Sequence, residues 1–107
     1  MDKFGERQKG FEAEFVRNQE LAFRVTMRRN RLFGLWAAAR LGLPHGEAAD
    51  AYAKAVAAAD FEAPGDGDII GKVLADFAEK NIAISEAELR AELLRWGEEA
   101  RRQLAPS

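Results

Sequence analysis

The stretch "RRNRLFGLWAAARLGLPHGEAADAYAKAV", Arg28 to Val56, decides the fold. Leu32, Leu35, Trp36 and Ala39 recur at three- and four-residue intervals, the spacing of one helix face. Pro44 and Gly46 then supply a stop, the first for want of an amide hydrogen and the second for its backbone freedom. The helical pattern resumes at once in "EAADAYAKAVAAADFE", with Ala48, Tyr52, Val56 and Ala59 on one face and acids at its start. Two helices joined by so short a connection are antiparallel neighbours, and the small side chains of the second permit close packing.

Working outward, Leu21 and Val25 extend the first face toward the N-terminus, and no proline or glycine intervenes between Gly10 and Gly34. One long first helix is therefore expected. Beyond the second helix, Pro64-Gly65 and the "GDGD" turn lead to Ile69, Ile70, Val73, Leu74 and Phe77, the face of a short third helix that stops near Asn81. Ser85-Glu86-Ala87-Glu88 has the form of a capping box: the serine side chain accepts from the amide at position 88 while Glu88 reaches back. A fourth helix starts there, striped by Leu89, Leu93, Trp96, Ala100 and Leu104 and closed by Pro106. Only "NIAIS", residues 81–85, alternates like a strand, and it sits between two helices. The expected fold is all-α, a small four-helix bundle with a long first helix and a mobile N-terminal segment. Its core is expected around Leu32, Leu35, Trp36, Tyr52, Val56, Ile70, Leu74, Phe77, Leu89, Leu93 and Trp96.

Three phenylalanines are surplus to that core. In "KFGERQKGFEAEF", Lys3 to Phe15, Phe4, Phe11 and Phe15 fall within an arc of roughly 40° at about 100° per residue, an apolar stripe on a helix. Gly5 and Gly10 each cost such a helix about 1 kcal/mol relative to alanine, and Asp2 is the only good capping residue. Helices this short are marginal in water. A stripe in need of a partner thus lies on a segment expected to be mobile when free.

Length bounds the rest. At 107 residues the chain is one domain with one modest core, and 48% apolar with 32% charged residues reads as a soluble helical protein. Without cysteine there are no disulfides and no cysteine-based zinc sites, which fits a reducing cytoplasm. The opening residues lack the apolar core of a signal peptide, and "LFGLWAAARLGL" is too short to span a bilayer and is interrupted by Arg40. Charge is divided unevenly. Residues 1–40 hold nine Lys/Arg against five Asp/Glu, and residues 41–107 hold seven against thirteen, so the front carries +4 and the body −6. The basic front either meets an acidic surface elsewhere or packs on its own acidic body.

No catalytic constellation emerges. His45, the single histidine, lies between a proline and a glycine with no convergent partner and reads as a turn residue. "GDIIGKV", Gly67 to Val73, lacks a spacer residue of a phosphate loop, has Val73 where Ser or Thr would hold magnesium, and follows a helix. "DFEAPGDGD" gathers acids in a glycine-rich turn, but aligned as a calcium loop from Asp60 it puts Pro64 at a ligand position and Gly71 where a bidentate glutamate belongs. Those acids suit the start of a helix better. Arg17, Arg24, Arg28 and Arg31 form a basic stripe roughly opposite the phenylalanines, with Arg29 beside it. Phosphate contacts could use such a stripe, yet the whole chain is acidic and no aromatic platform accompanies it. A helical binding module for nucleic acid or a nucleotide stands as the alternative reading. A membrane-surface role is opposed by Glu6, Glu12, Glu14 and Glu20.

The strings "GLWAA" (Gly34 to Ala38), "AADAYAK" (Ala48 to Lys54) and Pro64-Gly65-Asp66 ahead of Lys72-Val73-Leu74 come in an order and at separations that closely resemble the zeta-type inhibitor subunit of bacterial F-type ATP synthases. The resemblance covers nearly the whole chain; it departs where the family often has an acid at the position of Gly67. It implies a non-enzymatic protein, without cofactor, whose N-terminal segment enters a catalytic interface of the ATPase head and stops rotation in the hydrolytic direction while sparing synthesis. The family's N-terminal pattern falls on Phe4, Arg7, Phe11, Glu12 and Phe15, with Phe23 further along. On that basis residues 1–18 are an inhibitory segment and residues 19–107 a four-helix domain. The implied partner is the catalytic head with its large alternating subunits and rotor. The implied location is cytoplasmic, peripheral to the membrane-associated synthase, and the free protein is expected to be monomeric, with no nucleic-acid partner and no membrane insertion.

Overall fold

A computed structural model describes residues 2–60 and 65–105, with side chains for residues 17–60 and 65–105. The chain is an all-α bundle of four helices: α1 (Asp2–Arg40), α2 (Glu47–Ala59), α3 (Gly67–Glu79) and α4 (Glu86–Leu104). Among the described residues there is no strand, and "NIAIS" is the turn and extended connection between α3 and α4. α1 packs along both α2 and α4, while α3 bridges α2 and α4.

The helix ends follow local chemistry. α1 closes at Gly42 (φ 81°), two residues before Pro44: the Leu43 amide donates to the Ala38 carbonyl at 3.0 Å and the Gly42 amide to that of Ala39 at 3.1 Å, a Schellman closure. Pro44 only follows it, and Gly46 (φ 109°) instead caps α2. The same closure ends α3, with Asn81 in the left-handed position (φ 57°) and the Ile82 amide on the Phe77 carbonyl at 2.9 Å. At α4 the expected capping box is present, Ser85 Oγ accepting from the Glu88 amide at 3.1 Å and the Glu88 carboxylate from the Ser85 amide at 3.3 Å.

The core centres on Phe33, Ala37, Val56, Ile69, Ile70, Val73, Phe77, Leu89 and Leu93. Leu32, Leu35 and Trp36, expected at its centre, are half-buried shoulders, and the fully buried member of that face is Phe33. Tyr52 and Leu74 are likewise half-buried, and on α2 the inward row is Ala49, Ala53, Val56 and Ala59 rather than one through Ala48. Trp36 stacks between Phe33 (5.7 Å) and Phe77 (6.0 Å), joining α1 to α3, and the Arg40 guanidinium covers its outer face at 5.5 Å. Tyr52 donates to Asp76 at 2.7 Å; burial first, then that carboxylate, hold its hydroxyl well above the usual phenol range and so protonated.

A polar clamp fastens the loop between α2 and α3 to α1. Asn30 is buried, 3% exposed; its side-chain nitrogen donates to Asp60 at 2.9 Å and its oxygen accepts twice from Arg29. Arg29 also reaches Asp66 at 2.8 Å, so Asp66, at the cap position of α3, serves this ion pair and makes no side-chain cap bond. Two acids of "DFEAPGDGD", Asp60 and Asp66, are thus tied to α1. Residues 61–64 of that string lie outside the described residues.

Two stability measurements follow from this packing. A methyl at Gly34 would lie 2.7 Å from the Ala53 Cα. Although alanine is the better helix former by about 1 kcal/mol, Gly34→Ala is expected to destabilise by about 1 to 3 kcal/mol, lowering Tm by roughly 4 to 8 °C per kcal/mol. A raised Tm in calorimetry would show that the helices are free to part. Asn30→Ala strands Asp60 and half of Arg29's bonds, and urea denaturation is expected to show a loss of about 1 to 3 kcal/mol; an unchanged midpoint would mean the clamp is dispensable.

Candidate functional site

α1 is far longer than the elements available to cover it. Its 39 residues run about 58 Å at 1.5 Å per residue, while the 19 of α4 run only about 28 Å. The molecule is 66 Å in its longest dimension and 27 Å or less in the others. Burial shows where the bundle stops: residues 17–24 are exposed, Val25 and Thr26 half-buried, and Asn30 is the first buried residue among those described.

Near the end of α4 a polar contact meets α1. Arg28 donates to Gln103 at 2.7 Å; Gln103 in turn donates to Glu99, which also holds Arg102. The Arg102 bond brings the Glu99 carboxyl down to about 2, so Glu99 stays charged through the physiological range. Upstream of that contact, large apolar side chains face water: Leu21 is 41%, Phe23 59% and Met27 45% exposed. Phe23 thereby continues along α1 the apolar excess that begins at Phe4. Phe4, Arg7, Phe11, Glu12 and Phe15 themselves belong to turns of α1 whose side chains lie outside the described residues.

The remaining candidates resolve into structural roles. His45 is exposed in the connection between α1 and α2. "GDIIGKV" forms the opening turns of α3 and not a loop, with Lys72 bonded to Asp76 at 3.2 Å. Among the described residues no three carboxylate or imidazole groups converge as a metal site. Of Arg17, Arg24, Arg28, Arg29 and Arg31, Arg29 alone forms an ion pair with a described residue, while the other four are exposed. Met27 and Asn30 are the residues that stripe counting misses. Asn30 was legible as the polar member of the row Asn30, Phe33, Ala37, spaced by three and four. Met27 stands one turn beyond Phe23.

Among the described residues no catalytic constellation forms. The arrangement offers a long helix, anchored at one end by Phe33 and Trp36 and exposed over residues 17–24. No curated protein matches the chain. A family described as ATPase inhibitor subunit zeta matches residues 1–103, from the uncovered turns of α1 through α4. The chain therefore belongs to the ATPase inhibitor subunit zeta family, whose members are not themselves enzymes.

Proposed function

We propose that this inhibitor subunit blocks ATP hydrolysis by inserting residues 1–18 into a catalytic interface of the F-type ATP synthase head. Family membership supports the inhibitory role and the head as partner. The observation that supports insertion is the excess length of α1, together with the exposure of residues 17–24 on it. Phe4, Phe11 and Phe15 are the apolar anchors in this reading, with Arg7 and Glu12 making charge-assisted bonds beside them. The protein sits peripherally on the synthase, and no described helix is long and apolar enough to cross a membrane.

Reversibility follows from the energetics. Three buried phenylalanines contribute about 1.5 to 3 kcal/mol each, set against roughly 1 to 2 kcal/mol for every residue that binding must order. With two glycines in the segment the helix is weak on its own. Net affinity is then modest enough for the segment to be expelled when the rotor is driven toward synthesis.

ATP hydrolysis by the isolated head, with the protein added, tests this. Deleting residues 1–18 is expected to abolish inhibition and leave the bundle folded. Phe11→Ala and Phe15→Ala should each weaken inhibition by about 1 to 4 kcal/mol, with little change in Tm. Full potency of the truncated chain would overturn the reading. Alanine at both Gly5 and Gly10 restores about 2 kcal/mol of helix propensity, so the inhibition constant should fall roughly 10- to 30-fold; an unchanged constant would show that binding does not order this segment.

A further inference from the structure

Between α1 and α2 runs an open groove of about 690 Å³. One wall is Phe23 and Met27, a turn apart on α1; the floor is Ala53 and Ala57, a turn apart on α2; Leu104 from the end of α4 completes the lining. The rim is basic. Arg24, Arg28, Arg31 and Lys54 surround it, opposed by Asp50 alone. None of these four cations forms an ion pair with a described residue; the ion pairs of Asp66, Asp76, Glu86, Glu92 and Glu99 are with other bases. Arg28 bonds only the neutral Gln103 and keeps its charge uncompensated.

We propose that this groove docks an acidic amphipathic helix on the outer surface of the ATP synthase head, a second contact that holds the bundle while residues 1–18 enter the catalytic interface. This rests on the function proposed above. Two rows of side chains with i, i+4 spacing facing each other across a trough are the shape a helix fits, apolar side chains down and polar ones up. From Phe23 to Arg31 the groove is about 12 Å long, two turns, room for two apolar anchors one turn apart. Charge complementarity selects the occupant: carboxylates flanking those anchors meet Arg24, Arg31 and Lys54. Position agrees, since the groove opens on α1 two turns beyond Phe15, where a head enclosing residues 1–18 must face the bundle. The chain's own residues 1–16 enter the catalytic interface in the function proposed above and cannot occupy both places. An electrostatic contact of this kind accelerates encounter and raises the local concentration of the inhibitory segment.

The test uses the full chain and the isolated head. Arg24→Glu with Arg31→Glu changes two exposed side chains, neither bonded to a described residue, and circular dichroism should show the wild-type fold. Wild-type binding is expected to weaken as salt rises from about 0.01 M to about 0.15 M, while the double variant binds about 10-fold more weakly at low salt, with a flattened salt dependence. Phe23→Ala should weaken binding at both salt concentrations. A photoreactive p-benzoylphenylalanine in place of Met27 is expected to cross-link to an acidic helix of a head subunit. Cross-links confined to a second copy or to the chain's own N-terminal residues would overturn the docking, as would a double variant that binds like wild type. If wild type inhibits and the double variant matches it, the groove falls and the inhibitory function stands. If wild type binds and cross-links as described without inhibiting, the function falls and the docking stands. If it neither binds nor inhibits, both fall.

Discussion

Everything in the bundle is arranged around the place where the backbones of α1 and α2 nearly touch. At Gly34 there is no room for a methyl, since Ala53 Cα would lie 2.7 Å from it. So close an approach forces small residues onto α2 and sends the large side chains of α1 elsewhere: Phe33 and Trp36 turn toward α3 and stack on Phe77. The same geometry makes the groove. Two turns before Gly34, α1 carries Met27 and then Phe23 instead of glycine, so a trough remains there, with Ala53 and Ala57 as its floor.

Charge is partitioned by the same frame. The +4 front could have been neutralised by the −6 body, but among the described residues only Arg29 serves that purpose, clamping Asp66 and, through Asn30, Asp60. Four body acids, Asp76, Glu86, Glu92 and Glu99, instead pair with bases of their own helix three or four residues away. Local pairing leaves the arginines of α1 available to a partner.

How much of this was legible depended on whether the signal was local. The capping box at Ser85 and Glu88 needs only four residues, and it was read correctly. Four helices and their order came from proline, glycine and periodicity alone. The face of α1 was harder, because Leu32, Leu35 and Trp36 satisfy helical spacing as well as Phe33 does; Gly34, Ala37 and Ala38, which mark the true contact, are small and give little hydrophobic signal. On α2, alanine stands on every side, so its inward row is set by α1 and not by its own sequence. Gly42 was overshadowed by the more conspicuous Pro44. Of the site, the apolar excess was legible from Phe4, Phe11 and Phe15, but the groove joins residues far apart in the chain and required the fold.

An inhibitor that acts as proposed has to combine stiffness with a segment that owes nothing to its own core. The first buried residue described is Asn30, and from Gly10 to Gly34 α1 contains neither glycine nor proline. Its backbone hydrogen bonds are satisfied along the helix itself, with no breaker at which it would kink. On the proposed mechanism, force applied near Phe15 reaches the aromatic anchor at Phe33 and Trp36 without a hinge, and there it meets the interface at Gly34 that resists compression most. On that mechanism stability resides in the buried part of α1, from Asn30 onward, and inhibition in residues 1–18, so the inhibitory residues can change without unfolding the bundle.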